Sequence, residues 1–535
     1  MVGIPLYLTT SRRHPDLPGR LHGVSARRFF RAAAKNFILL QLLFLCLFSY
    51  IFGALFQQGE RTHSIAIAFV DYDGGAIGTA VRQAYDSMRS PQFPTLVERS
   101  VVDFPTPSDL ESAVCNIEYW AGLYVVSGAS SQLHLALRSE TPVSFDRRNV
   151  MAFIWNEARY STIVDQAIAS NLVALSNAAR VVYSAVNGTG DVQSILSAGN
   201  MTANAISLIA DPWELVSIDI QPTRQGSRAI YNTVAIILIM IQEFFYLSIV
   251  NGLHQHFEVY TKLHPTRIIL YRSLNSLAYC FVGSLCLTGA IWAFRSGWNV
   301  GGGQFVLTWL VLWLFAHLNF QVLDVISIWL PLPYVPMALI TWLILNVTSI
   351  ITPFDLSAAW YRVGYALPAH ATYQVLIDIW SRGCNPRLHY ALPVLCAWEL
   401  VASVWAILGV YRRSHHAALA EAAAQKQFGE RLDAAIEFQR KREKEIRDEE
   451  KQQEQDGRKG EVQADKEIDF EQCGDFLWDG KCRDEERVRR ELAEAMERED
   501  EQIMQDKRRR SSKASASFGP TFSLPFVRDD DGVDG

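Results

Sequence analysis

Cysteine is sparse, eight in 535 residues, which excludes a disulfide-dense secreted scaffold. Charge is unevenly missing. Residues 411–535 hold 25 of the 50 Lys+Arg and 32 of the 56 Asp+Glu, so residues 1–410 keep 25 and 24, a net of +1. So little charge between long apolar runs excludes a soluble globular protein for that part. Near-neutrality also argues against nucleic acid as the main partner, because phosphate binding needs a basic surface. There is no G-x-x-x-x-G-K-[ST] loop to cradle a nucleotide, and no nucleophile–base or metal constellation is visible, so no cofactor is implied and an enzyme is not expected.

What is present is apolar length. The stretch 36–56, NFILLQLLFLCLFSYIFGALF, carries 14 Leu, Ile or Phe in 21 residues. Each favours insertion by roughly 0.3–0.6 kcal/mol near the centre of a helix. It is too long for the apolar core of a cleaved signal peptide and no small-residue cleavage site follows, so it reads as a retained signal-anchor. Further spans are expected near 231–251, 273–294, 305–329, 334–352 and 391–410. Flanking charges set the direction. Seven Arg or Lys precede the first span against Asp16 alone; Lys262, Arg267 and Arg272 face Glu258 between the second and third; Arg412 and Arg413 follow the sixth. All three clusters fit six spans with both termini in the cytosol.

That topology puts residues 57–228 outside the cytosol, a length suited to one folded domain. Ser64–Val70 reads as a strand buried on both faces, followed by the turn Asp71-Tyr72-Asp73-Gly74-Gly75 and a helix over 76–88. Pro107-Ser108-Asp109 begins a second helix near 109–116, then comes the strand 121–126. Gln132–Arg138 alternates like a half-exposed strand, and 147–185 reads as long helix. Alternating strands and helices imply a small α/β or α+β domain. Asp71 and Asp73 are placed for a turn rather than for metal or acid–base work. Asn187 and Asn200 open glycosylation sequons on the same side. Cys115 and Cys384 both fall there too, where an oxidising compartment permits a disulfide between them.

Ionisable residues inside spans cost about 2.5–3.5 kcal/mol each on insertion scales, so each invites a reason. Glu243, His317, Asp324 and Glu399 are the candidates. They read either as a polar, proton-linked pathway between helices or as inter-helix hydrogen bonding. For Asp324 the structural reading leads, since Pro331 and Pro333 mark a nearby turn. Three histidines in the inside loop, His254, His256 and His264, lack the cysteines and rigidity of a metal site.

Between the last two spans, 353–390 carries aromatics at Phe354, Trp360, Tyr361, Tyr365, Tyr373 and Trp380 and reads as an interfacial or re-entrant helical hairpin broken by Pro368. Here Asn346-Val347-Thr348, Pro353, Trp360-Tyr361-Arg362, Gly364-Tyr365-Ala366-Leu367-Pro368 and Tyr373 follow a pattern in order. In these residues, and in one span, a large outer domain and five more spans over about 30–413, the chain resembles the fungal and protist nitrosoguanidine-resistance membrane proteins. That family is itself similar to ABC-2-type exporter membrane domains and phage-infection proteins. The resemblance implies an export permease or resistance-associated membrane protein for toxic or amphipathic small molecules, with residues 229–410 an ABC-2-like membrane domain and no catalytic residues to carry over. Lacking its own ATPase, such a chain would dock a separate one at the inside loop 252–268, draw on another gradient, or act as a non-transporting scaffold for lipid composition or trafficking.

The last segment, 411–535, is charged and helix-like at first, with apolar positions too sparse for a sustained heptad seam. A second charged helix is expected at 484–506, with a small apolar island at 473–482 between the two, and Lys507–Arg510 beside Ser511 and Ser512 could touch anionic lipid. The whole chain therefore reads as a polytopic α-helical membrane protein: six transmembrane helices, a small extracytoplasmic domain and a charged helical or disordered cytosolic tail. Its membrane is the plasma membrane or an endomembrane. The partners in view are the bilayer, a second copy of the chain, and a cytosolic protein on the tail.

Overall fold

A computed structural model describes residues 26–138, 145–188, 190, 192–193, 203–222, 233–331, 334–458 and 498. Residues up to Arg413 form one compact unit and residues from Ser414 another.

The first helix, α1 (Ala26–Leu55), is followed by a 3₁₀ turn at Gly59–Ser64 and an α/β lobe. The lobe contains β1 (Ala66–Asp71), α2 (Ala76–Met88), β2 (Thr95–Arg99), α3 (Pro107–Cys115), β3 (Ala121–Val125), α4 (Ala129–Arg138), β4 (Met151–Trp155), α5 (Ser161–Val164), α6 (Ser170–Val186), α7 (Ala203–Ala210) and β5 (Leu215–Asp219). The strands form one mixed sheet in the order β2-β1-β3-β4-β5, with only β3 and β4 antiparallel. In register, Phe69 faces Leu123 and Gly122 faces Ile154. β1, β3 and β4 are buried along their length because helices or loops cover both faces, which explains their unbroken apolar sequence. Thr106 caps α3 in a capping box with Asp109, and Pro107 takes the first helical turn.

Two local expectations fail. Gln132–Arg138 belongs to a helix, α4, not a strand. Ala129, Leu133, Ala136 and Leu137 are buried while Leu135 is exposed, which is helical spacing. A short alternating run fits both periods until its neighbours are counted. Likewise 147–185 is not all helix, because Met151–Trp155 is a central strand and the helix begins only at Ser161. A five-residue apolar run carries no period of its own.

Beyond the lobe come α8 (Thr233–His256), α9 (Val259–Lys262), α10 (Pro265–Ala293), α11 (Gly302–Trp329), α12 (Val335–Ile351), α13 (Pro368–Trp380) and α14 (Leu388–Arg458). Among the described residues five helices are long and apolar enough to cross a membrane: Ala33–Leu55, Thr233–His256, Pro265–Ala293, Gly302–Trp329 and Leu388–Phe438. The stretch expected as a fifth span, 334–352, becomes α12, an apolar helix of 17 residues that falls short of that length.

The segment 353–390 differs from expectation. It is not a hairpin broken at Pro368; two 3₁₀ turns (Phe354–Leu356, Ala359–Ala366) lead into α13, which Pro368 starts. Proline belongs in a first turn because its missing N–H has no partner there anyway. Nor is α13 a surface element. Pro368–Ile377 and Trp380 are buried, and the Trp380 indole donates to Thr308 Oγ1 at 3.0 Å. The Asn346 side chain on α12 accepts from the Ala369 backbone N–H at 3.1 Å, satisfying one free amide at the start of α13.

In the tail, α14 continues to Arg458, with Lys426 and Glu430 paired one turn apart at 3.8 Å. The expected second helix at 484–506, apart from Arg498, and 473–482, Lys507–Arg510 and Asn200 lie outside the described residues. Asn187 ends α6 and is half-buried.

Candidate functional site: a polar cavity among the apolar helices

Two of the four intramembrane candidates meet directly. His317 on α11 and Glu399 on α14 lie 82 residues apart, and the Nδ1–Oε1 distance is 2.6 Å. The Gln321 amide lies 3.4 Å and the Ser276 hydroxyl 3.3 Å from His317 Nε2. An Nδ1–H donated to the carboxylate leaves Nε2 as an acceptor for the Gln321 amide. Ser403 adds a hydroxyl to Glu399 Oε1 at 3.4 Å, while Glu399 Oε2 is buried and accepts no hydrogen bond from the described residues.

Two turns along α11, Asp324 is 1% exposed and held from two sides. Arg272 on α10 donates from Nε at 3.0 Å and from Nη2 at 2.6 Å, the forked geometry that suits a guanidinium and a carboxylate. Arg413 on α14 approaches Asp324 at 3.3 Å and donates to Ser327 Oγ at 2.7 Å. Both arginines also donate to Asn251 on α8, at 2.9 and 3.1 Å. Four long helices are thus tied at one level by a single acid and two bases. Arg272 and Arg413 stand in the sequence as flanking charges that set direction. In the structure they are helical, and Arg272 is only 5% exposed. Their signal in the sequence was Asp324 itself, since a buried carboxylate needs a cation and few lay in reach.

Between the two clusters is a cavity of about 200 Å³, lined by Arg272, Ser276, His317, Gln321, Asp324 and Ser403 among others. That volume admits a few waters or a small polar group. Glu243, the remaining candidate, is buried on α8 away from this lining and accepts from the Cys280 thiol at 3.3 Å.

The aromatic motif around Trp360–Tyr365 serves another purpose. Tyr361 is buried and donates its hydroxyl to the Tyr50 carbonyl on α1 at 2.6 Å, and Trp360 packs edge-on against Tyr50. Gly53 lets α1 approach, since a Cβ there would lie 2.6 Å from Tyr361 Oη. A Cβ at Gly364 would meet Phe354 Cζ at 2.5 Å. Tyr365 packs edge-on against Phe354 and His370, and Arg362 is exposed. These residues dock α1 onto the bundle; they do not line the cavity.

The lobe is joined to the same end of the helices by Cys115 and Cys384, which form a disulfide across 269 residues. Asn156 also donates to Ser381 Oγ at 2.9 Å. Asp71 and Asp73 behave as the turn reading expects. Asp71 accepts from the Asp73 and Gly74 amides at 3.1 and 2.9 Å and pairs with Arg82, while Asp73 accepts from Ser130.

Apolar helices, a folded lobe and a polar cavity tied across the bundle define a multi-pass membrane protein. The chain belongs to the family of proteins of unknown function DUF3533, whose model matches residues 36–404. It is similar to an uncharacterized endoplasmic reticulum membrane protein of Saccharomyces cerevisiae, 22% identical over 372 residues, which are 62% of this chain and 70% of that one. No solved structure matches.

Proposed function

We propose that the protein is an export permease-like membrane protein of an endomembrane, with the His317–Glu399 cavity as the place where a small amphipathic or polar solute and a proton meet. The observation that carries this reading is the cavity itself. Burying a histidine–glutamate pair among apolar helices has a high insertion cost, and residues kept at such a cost are most often functional. An imidazole hydrogen-bonded to a carboxylate is a group that can take up and release a proton. The Arg272–Asp324–Arg413 cluster beside it acts as a fixed ionic wall.

The endoplasmic reticulum is the favoured membrane, after the yeast relative's name. Both termini face the cytosol and the lobe faces the lumen, with α12 as the fifth of six spans. The Cys115–Cys384 bond supports this orientation, because such bonds persist in an oxidising lumen and are rare in the cytosol. The chain works with a separate ATPase or on an ion gradient. A non-transporting scaffold is the second reading. It is favoured by how completely Asp324 is paired, as purely structural clusters are.

Efflux of a labelled amphipathic cation from vesicles, compared between wild type, Glu399→Gln and His317→Gln, tests the proposal. Loss of efflux with normal amounts of folded protein supports it, and efflux unchanged by deleting the whole protein leaves the scaffold. Glu243→Gln, outside the cavity lining, is expected to keep most efflux.

A further inference from the structure

At the end of α10 the chain leaves an apolar helix and turns into α11 through residues 294–301. Trp292 sits half-buried in the last turn, and Phe294 just beyond it is 77% exposed. Aromatic residues at the end of a long apolar helix belong to the headgroup level of a bilayer. The loop carries Trp298 back to within 5.6 Å of Trp292, and Trp298 rests edge-on against Trp380 at 4.9 Å, which fixes the second ring. Between the two tryptophans and the loop lies a cavity of about 400 Å³, lined by Trp292, Arg295, Trp298 and Asn299 among others. It opens to the surface at Arg295, Gly297 and Asn299, all exposed. Its volume falls within the range of small-ligand sites, roughly 300–1,000 Å³.

Two cations stand at the rim. Arg295 donates from Nη1 to the Trp292 carbonyl, which leaves most of a guanidinium's N–H groups for another acceptor. Arg382, between α13 and α14, donates from Nη2 to the Asn299 carbonyl and to Asn299 Oδ1, at 3.3 and 3.1 Å, so hydrogen bonds tie it to the lining. Neither guanidinium is ion-paired among the described residues, and no carboxylate lines the cavity. Two uncompensated cations beside two indole rings favour an anion with an apolar body. The forked donors of arginine match phosphate oxygens, and the indoles suit the glycerol and first methylenes of a lipid. We propose that Arg295 and Arg382 bind the phosphate of an anionic phospholipid headgroup from the leaflet at this end of α10, with Trp292 and Trp298 as its walls. This site is separate from the His317–Glu399 cavity and does not depend on transport.

The test uses the full chain in dodecylmaltoside micelles and reads its melting temperature. The probes are phosphatidylglycerol, phosphatidylcholine with the same acyl chains, and inorganic phosphate. Wild type is expected to gain stability saturably with phosphatidylglycerol, at concentrations where phosphatidylcholine does little. Arg295→Gln is expected to need at least about tenfold more phosphatidylglycerol for half the effect, the loss of one charge-assisted contact. Without lipid it should melt as wild type does, since the side chain is exposed. Arg267→Gln, exposed at the other end of α10, is expected to respond as wild type. An equal response to inorganic phosphate would assign the site to a soluble anion and overturn the headgroup. Phosphatidylglycerol acting no better than phosphatidylcholine, or equally on wild type and Arg295→Gln, would overturn the site altogether, as would an equal loss in Arg267→Gln. Should Arg295→Gln fail to fold, the exposed Arg382→Gln carries the same comparison.

Discussion

Asp324, Arg272 and Arg413 show how single residues decide the bundle's stability. Removing one partner of a buried ion pair leaves the other charged and desolvated, which costs about 3–5 kcal/mol. Asp324→Asn should therefore lower thermal stability in detergent by that order, and Arg272→Gln similarly. The double variant should recover only part of the loss, because it removes the stranded Arg272 while Arg413, 3.3 Å from Asp324, still loses its carboxylate. Additive losses in that cycle would show that the residues are not coupled.

His370 gives a second residue-scale outcome. Burial pushes its imidazole down to about 4, although its contact with the Ser349 carbonyl opposes this. Nδ1 lies 3.0 Å from that carbonyl and Nε2 3.4 Å from the Tyr390 hydroxyl, contacts that the neutral ring satisfies. Between about 4 and the ordinary value of 6.5 the unfolded chain binds a proton here and the folded one does not. Stability then rises with pH across this window and falls on acidification, by up to roughly 3 kcal/mol. His370→Gln should flatten the melting curve between pH 4 and 6.5 relative to wild type. An unchanged slope would remove His370 from the account.

At the scale of elements, the docking of α1 turns on Gly53 and Tyr361. A side chain larger than hydrogen at position 53 must displace the Tyr361 ring. Gly53→Leu should cost about 1–3 kcal/mol through overpacking, and Tyr361→Phe about 1 kcal/mol through the lost hydrogen bond to Tyr50. Chemical denaturation in mixed micelles measures both, and neither is expected to change efflux.

The sequence makes some elements legible and hides others for definite reasons. The long spans show because lipid imposes both length and composition on them. β1 and β3 show because buried strands are continuously apolar. β4 does not, since Met-Ala-Phe-Ile-Trp is as acceptable to a helix. The same limit turned α4 into an expected strand. His317, Asp324 and Glu399 stand out by their rarity in apolar surroundings, yet their partners do not. Arg272 looks like any loop cation until the fold carries it to Asp324. The pairing of His317 with Glu399 depends on two helices 82 residues apart, and no spacing encodes that. The aromatic motif was visible as a pattern, but its work, seating α1, needed the position of Tyr50.

At the scale of the whole molecule, the lobe and the helices up to Arg413 behave as one body bound by the Cys115–Cys384 bond. Closing a loop of 269 residues restricts the unfolded chain, a stabilisation of about 5.5 kcal/mol in the chain-entropy view. Cys115→Ser should lower the melting temperature and shift the non-reducing electrophoretic mobility to that of the reduced wild type. A wild-type mobility that reduction leaves unchanged would mean that the bond does not form in cells.

Water is expected to reach the polar cavity between His317 and Asp324. Substituted-cysteine labelling tests it most directly. With Cys46, Cys280, Cys286, Cys396, Cys473 and Cys482 replaced by alanine, a cysteine is placed at Ser403 on the cavity wall or at Val404 beside it, which is exposed on the outer face of α14. A small membrane-impermeant thiol reagent applied to sealed vesicles should modify Ser403→Cys, and Val404→Cys, facing lipid, should stay unmodified. Equal protection of both positions from either side of the membrane would contradict the account.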